Sequence, residues 1–281
     1  MSIQILTDST SDLSPELIKR FAIHSVPLTV AFGNEAFLDG VEIDAQQLIE
    51  KIESTSIFPK TTQPSPAEFL RKFRELLSNG DEVIYISLSS KISGTFTSAQ
   101  LALGELGDVP ISLVDSLNLS MGIGLLVLHV GKMVQEGLGR LEIVRRIEEM
   151  VPKVRTAFVV DSVDFLHKGG RLSAVEAFVG NILNIHPMIK MTDGVLGVGE
   201  KIRGRRDRAL ERMLEIAVEN PEQIDPEWIS VTHVASPRDA EMLAEALRSR
   251  TPVKEVVITK AGAVIASHCG PGTIGILYIE R

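Results

Sequence analysis

Three apolar runs, each ending in a small polar turn and each followed by a helical pattern, constrain this chain more than any other feature. Ile3 to Thr7 runs into Asp8-Ser9-Thr10-Ser11-Asp12, and Ser14-Pro15 then opens a helix, with Ser at the cap and Pro in the first turn. Glu82 to Ser87 runs into LSSKISGT and a helix through Leu103; Ile111 to Asp115 precedes a mostly apolar helix from Ser120 to Gln135. Short strands that alternate with helices form parallel sheets covered on both faces. A helix as apolar as 120–135 belongs between two layers. Asp44 with Gln47 and Ser65 with Glu68 are capping boxes for two more helices, the second ending at Asn79-Gly80. Val26 to Phe32 reads as one strand and Phe58 to Pro64 as a loop bracketed by prolines.

The second half has a different rhythm. Thr156 to Val160 is a strand, Gly169-Gly170 breaks a short helix, and Thr192-Asp193-Gly194 between two apolar runs is a hairpin signal. Further strands are expected at Trp228 to Val234, Val256 to Thr259 and Thr273 to Ile279, with helices at Asp207 to Glu219 and from Ser236-Pro237. Hairpins mixed with crossovers predict a mixed sheet. With 281 residues the chain suits two domains. The expectation is an α/β protein with an N-terminal three-layer α/β/α domain over 1–154 and a C-terminal α/β domain over 155–281.

Composition narrows the partners. The net charge of -8 and an aromatic content of 5% argue against nucleic acid, which asks for basic surfaces and stacking rings. The single cysteine, Cys269, permits neither an internal disulfide nor a cysteine-based zinc site. MSIQILTDST enters a strand pattern with no basic flank or cleavage pattern, and no apolar stretch is long enough for a bilayer, so a cytoplasmic protein is expected.

The stretch ISLSSKISGTFTSA, residues 86–99, places several small hydroxyls where a strand turns into a helix. It can be read as a nucleophilic serine, a phosphate cradle or a seat for another anion. There is no G-x-S-x-G elbow and no G-x-x-x-x-G-K-[ST], which disfavours the first two. Ser93-Gly94-Thr95 stands at the helix start, where free N–H groups and hydroxyls can satisfy an anion. Ser89, Ser90 and Thr97 are expected to serve the turn and the helix themselves. Asp8 and Asp115 end strands and are expected to fix turns rather than bind metal.

Seven stretches in order then resemble the DegV family: TDSTSDL at 7–13, KTTQPSP at 60–66, SLSSKISGTFTSA at 87–99, VVDS at 159–162, FLHKGGRLS at 165–173, MTDGVLGVGEKIRG at 191–204 and SHCGPGTIG at 267–275. The resemblance implies a two-domain fold related to the dihydroxyacetone-binding part of dihydroxyacetone kinases. It implies one long-chain fatty acid bound between the domains, without metal, cofactor or catalytic residue of its own. It further implies a carrier role, in which a separate ATP-dependent kinase subunit phosphorylates the carboxyl group. Carried over position by position, the carboxylate contacts are Ser93 with Gly94, Thr62 (Thr61 second), and His268, with Arg171 at the pocket mouth and Gln63 bracing its loop. Arg203, Arg205 and Arg206, in a run with Lys201 and Arg208, are candidates for docking the kinase subunit. Two departures stand out: Cys269 where relatives often have Thr, and His186 where many have Lys. An apolar tunnel is expected from Phe165, Leu166, Phe178, Ile182, Ile185 and Ile189. Burying fourteen or so methylenes would contribute about 11 kcal/mol gross, at about 0.8 kcal/mol each. Association costs of about 4–15 kcal/mol offset most of it, so the head group must be satisfied too. The competing enzymatic reading is an esterase or acyltransferase with Ser93 as nucleophile and His268 as base.

Overall fold

The structure of the protein is a computed structural model, and it describes residues 2–171 and 185–281. In chain order the elements are β1 (Ile3–Asp8), α1 (Pro15–Arg20), β2 (Ile23–Val26), β3 (Thr29–Phe32), β4 (Glu35–Leu38), α2 (Ala45–Thr55), β5 (Lys60–Thr62), α3 (Pro66–Leu77), β6 (Glu82–Ser87), α4 (Thr95–Leu106), β7 (Ile111–Asp115), α5 (Met121–Gln135) and α6 (Arg140–Met150). They continue with β8 (Val154–Val159), α7 (Asp164–Lys168), β9 (Ile185–Thr192), β10 (Val195–Arg203), α8 (Arg206–Ala217), β11 (Ile224–His233), α9 (Pro237–Arg250), β12 (Glu255–Lys260), α10 (Ala263–Cys269) and β13 (Ile274–Glu280).

The first half forms a parallel sheet in the order β2-β1-β6-β7. Alternation sorts its two faces. Leu6, Val83 and Tyr85 meet Phe69 and Phe73 of α3 and Ala99 and Ala102 of α4. Ile5, Ile84 and Ile86 point the other way, toward α5. The second half forms a mixed sheet in the order β10-β9-β8-β13-β11-β12, antiparallel except for the β11–β12 pair. Its Val159, Ile229, Val231 and Ile276 face α8 and α9, whereas Phe158 and Leu277 face α5. So α5, buried on nearly every side, is the layer both sheets share. Its glycines allow this: a Cβ at Gly131 would lie 2.5 Å from the Phe21 ring, and one at Gly122 would lie 2.9 Å from Thr156 Oγ1 of β8.

Two sequence expectations need correction here. Val26 to Phe32 is not one strand. Pro27 has no N–H for a ladder, the Leu28 N–H turns aside to Ser9 Oγ at 3.1 Å, and the chain leaves the parallel sheet. The KTTQP segment is not a plain loop either. Lys60, Thr61 and Thr62 pair antiparallel with Ala31, Val30 and Thr29, giving a three-stranded sheet β4-β3-β5. That small sheet fixes Thr61 and Thr62 in place.

Candidate functional site

A cavity of about 420 Å³ opens beyond the carboxyl ends of β1 and β6, where open α/β sheets commonly hold ligands. Leu28, Leu88, Ile92, Leu119, Leu196, Val264 and Ile265 supply its apolar wall. Thr10, Thr61, Thr62, Gln63, Ser93, Arg171, His268 and Cys269 supply the rest. Thr62, Ser93, Arg171 and His268, which lie far apart in sequence, therefore line one space.

The polar side is built from neutral groups and one guanidinium. His268 Nε2 is 3.0 Å from Thr61 Oγ1. Its Nδ1 is buried and has no hydrogen-bond partner among the described residues, and a Cβ on Gly169 would come within 2.3 Å of it. Burial, and secondarily the positive charge of Arg171, pushes the imidazole down to about 4, so it is neutral at pH 7. Arg171 is exposed and donates to the Gly169 carbonyl at 2.8 Å. Ser93 Oγ accepts from the Thr95 N–H at 3.2 Å and lies 2.8 Å from Thr95 Oγ1, so Ser93 serves the start of α4 while it lines the cavity. Gln63 braces its loop by donating to Ser98 Oγ at 3.1 Å.

Gly94 has a different use from the one expected. It caps α4 but is not part of the cavity wall; a Cβ there would lie 2.3 Å from Gln63 Oε1. The space above Gly94 is filled by the Gln63 amide. The hydroxyl that His268 meets is that of Thr61 rather than Ser93, and among the described residues no carboxylate is bonded to the imidazole, as the serine–histidine arrangement of an esterase would require. Cys269 is buried, and burial pushes its thiol up to about 12, so it packs as a small apolar group.

The expected tunnel lining also changes. Leu166 and Ile189 are buried in the shared core, and the Phe165 ring packs on Phe58 with centroids 5.4 Å apart. Neither these nor Ile185 lines the cavity. Phe178 and Ile182 lie outside the described residues. His186 stands opposite Ile202 in the β9–β10 ladder and is not a wall residue.

Of the basic run, Arg206 must be withdrawn as a docking residue. Its guanidinium pairs with Asp161 and with Asp239, and donates to Ser236 Oγ and to the Gly272 carbonyl. It knits the start of α8 to the start of α9 and to the turn before β13. Arg203, Arg205, Lys201 and Arg208 are exposed, and Arg205 stands 3.2 Å from Asp207. Asp8 and Asp115 fix turns as expected. Asp8 accepts from the Leu88 N–H at 2.9 Å and the Thr10 N–H at 3.1 Å; Asp115 accepts from the Ser90 and Leu117 N–H groups at 3.1 and 3.0 Å.

One arrangement had no sequence signal. Asp12 accepts from the Gly262 N–H at 2.8 Å and Asp39 from the Ala263 N–H at 2.7 Å, so two carboxylates hold the start of α10, the helix that carries His268 and Cys269. Burial, reinforced by the neighbouring carboxylates, pushes Asp12 up to about 8 and Asp39 to about 6. A folded value above the unfolded one means that the folded state holds the extra proton. Stability from Asp12 is therefore present at low pH and is lost as pH rises from about 4 toward about 8. Asn cannot ionise, still accepts the Gly262 N–H, and tolerates the left-handed backbone at φ 53°. Asp12→Asn should thus gain about 1–2 kcal/mol relative to the parent between pH 6 and pH 8 in denaturant titrations. An unchanged difference at the two pH values would contradict the assignment.

The family model described as "Uncharacterised protein, DegV family" matches residues 2–281. The chain belongs to the DegV family. A DegV domain-containing protein of Caldanaerobacter subterraneus is 34% identical over 279 residues, covering 99% of each chain. Protein DegV of Bacillus subtilis is 33% identical, with the same coverage. Among solved structures, a DegV-family protein from Thermus thermophilus, described as fatty acid binding, superposes with a TM-score of 0.92 at 32% identity over the full length of both chains. A stearic-acid-binding protein from Eubacterium ventriosum gives 0.88 at 27% identity, covering 100% of this chain and 98% of the other. Among the described residues, no helix of this DegV protein is long and apolar enough to cross a membrane, and no group of three His, Cys, Asp or Glu could hold a metal ion.

Proposed function

We propose that this protein binds one long-chain fatty acid in the 420 Å³ cavity and presents its carboxyl group to a separate ATP-dependent kinase subunit, itself contributing no catalytic residue. The observation that carries this reading is the make-up of the cavity wall: seven aliphatic side chains, together with the polar set Thr61, Thr62, Ser93, His268 and Arg171. Fatty acid binding described for DegV relatives with matching folds supports it. The volume falls in the range of small-molecule sites, about 300–1,000 Å³.

The residues divide the work by chemistry. Thr62, Ser93 and Thr61 offer hydroxyl donors to the carboxylate, which is costly to bury unpaired. Neutral His268 can give one ring N–H without burying a second charge. Exposed Arg171 supplies the counter-charge at the mouth, where it remains hydrated until the ligand arrives. Arg203 and Arg205, exposed in an otherwise acidic chain, are the residues assigned to docking the kinase subunit.

Calorimetric titration with oleate tests the binding step. A stoichiometry of one with a negative heat-capacity change, the mark of apolar burial, is the expected result. Heat without that heat-capacity change, or no binding, would contradict an acyl chain in the cavity.

A further inference from the structure

Ser89 is fully buried, and every one of its polar atoms is engaged. Its N–H donates to the Asn118 carbonyl at 2.9 Å, beside the start of α5. Its carbonyl accepts from the N–H groups of Ile92 and Ser93, both at 3.2 Å, and so shapes the turn that presents Ser93. Its hydroxyl accepts from the Lys91 N–H at 3.2 Å and gives its one hydrogen to the Gly194 carbonyl at 2.7 Å, across 105 residues of sequence. Gly194 is the tip of the β9–β10 hairpin, at φ +83°, and a Cβ there would lie 2.9 Å from both Ser89 Oγ and Lys91 Cγ. The hairpin therefore presses directly on the turn. Two residues past Gly194, Leu196 enters the cavity wall.

We propose that Ser89 is a positioning residue that locks the β9–β10 hairpin tip to the Ser93 turn, so that the apolar wall at Leu196 and the hydroxyl of Ser93 are set as one body around the ligand. The inference rests on the carrier reading above and deepens it. It makes ligand retention depend on a hydroxyl that the ligand does not touch. Ser93 holds the head group while Leu196 covers the chain, and separation of the two opens the cavity from its side.

Amide hydrogen exchange and palmitate dissociation, measured on the same full-length protein, test this. In the parent, loading with palmitate should raise protection of 89–95 and of 192–196 together. In Ser89→Ala the first segment should still gain protection while the second does not, and palmitate should leave about tenfold faster, the effect of one buried hydrogen bond. Gly194→Ala, which keeps the Ser89 hydroxyl but pushes the tip away, should reproduce both changes. Ser90→Ala, at an exposed neighbour whose N–H and not hydroxyl is bonded, should reproduce neither. A Ser89→Ala protein that is only less stable, with paired protection and an unchanged dissociation rate, would overturn the inference alone. A parent that binds no palmitate would overturn the carrier reading and the inference with it.

Discussion

Placing tryptophan at both Ile92 and Ile265 is expected to lower fatty acid affinity at least about 100-fold, equivalent to about 2.7 kcal/mol, while the fold is retained. Both side chains are half-buried and point into the cavity from opposite parents, the Ser93 turn and α10. The added rings have empty space to enter, so the usual overpacking cost of about 1–3 kcal/mol for a filled core need not arise. The ligand instead loses volume in the cavity that both side chains line. Oleate titration read beside a denaturant midpoint checks this. Loss of binding at an unchanged midpoint fits; binding at parental affinity would place the ligand elsewhere.

Arg206→Ala is expected to destabilise the protein by about 2 kcal/mol, whereas Arg205→Ala should change stability by less than about 0.5 kcal/mol. Arg206 is 22% exposed and joins four partners on three segments, and its removal takes the paired guanidinium from both Asp161 and Asp239. Cutting one side of a fully buried pair costs about 3–5 kcal/mol; Asp161 is half exposed, so solvent recovers part of that. Arg205 is 89% exposed and, among the described residues, pairs with Asp207. Urea unfolding of the two variants decides between a structural and a docking role. Equal stabilities would contradict the structural role of Arg206.

These two cases also show what could be seen in the sequence. The strand–turn–helix alternation and the capping boxes at Asp44 and Ser65 are local, because a cap and the bonds it satisfies lie within four residues. The parallel sheet, the apolar α5 and the Asp193-Gly194 hairpin were legible for that reason. Helix α10 was not. No side chain next to it caps its start; Asp12 and Asp39 do so from 250 and 224 residues away. The strand at Thr61 was hidden because its partner, β3, depends on where Pro27 sends the chain. Within the basic run the arginines look alike until the start of α8 decides which one turns inward. That Thr62, Ser93, Arg171 and His268 share one cavity wall agrees with the motifs from which they were chosen. The apolar wall could not be chosen in that way, because an aliphatic residue that faces a cavity has the same pattern as one that faces the core. Leu28, Leu119 and Ile265 gave no signal, while Leu166 and Ile189, chosen from a similar pattern, went to the core.

Native mass spectrometry of the purified full-length chain tests the central claim most directly. The account predicts one long-chain fatty acid per protein, either carried through purification or taken up from added palmitate or oleate, and released on unfolding. A chain that emerges without ligand and takes up neither acid would contradict it.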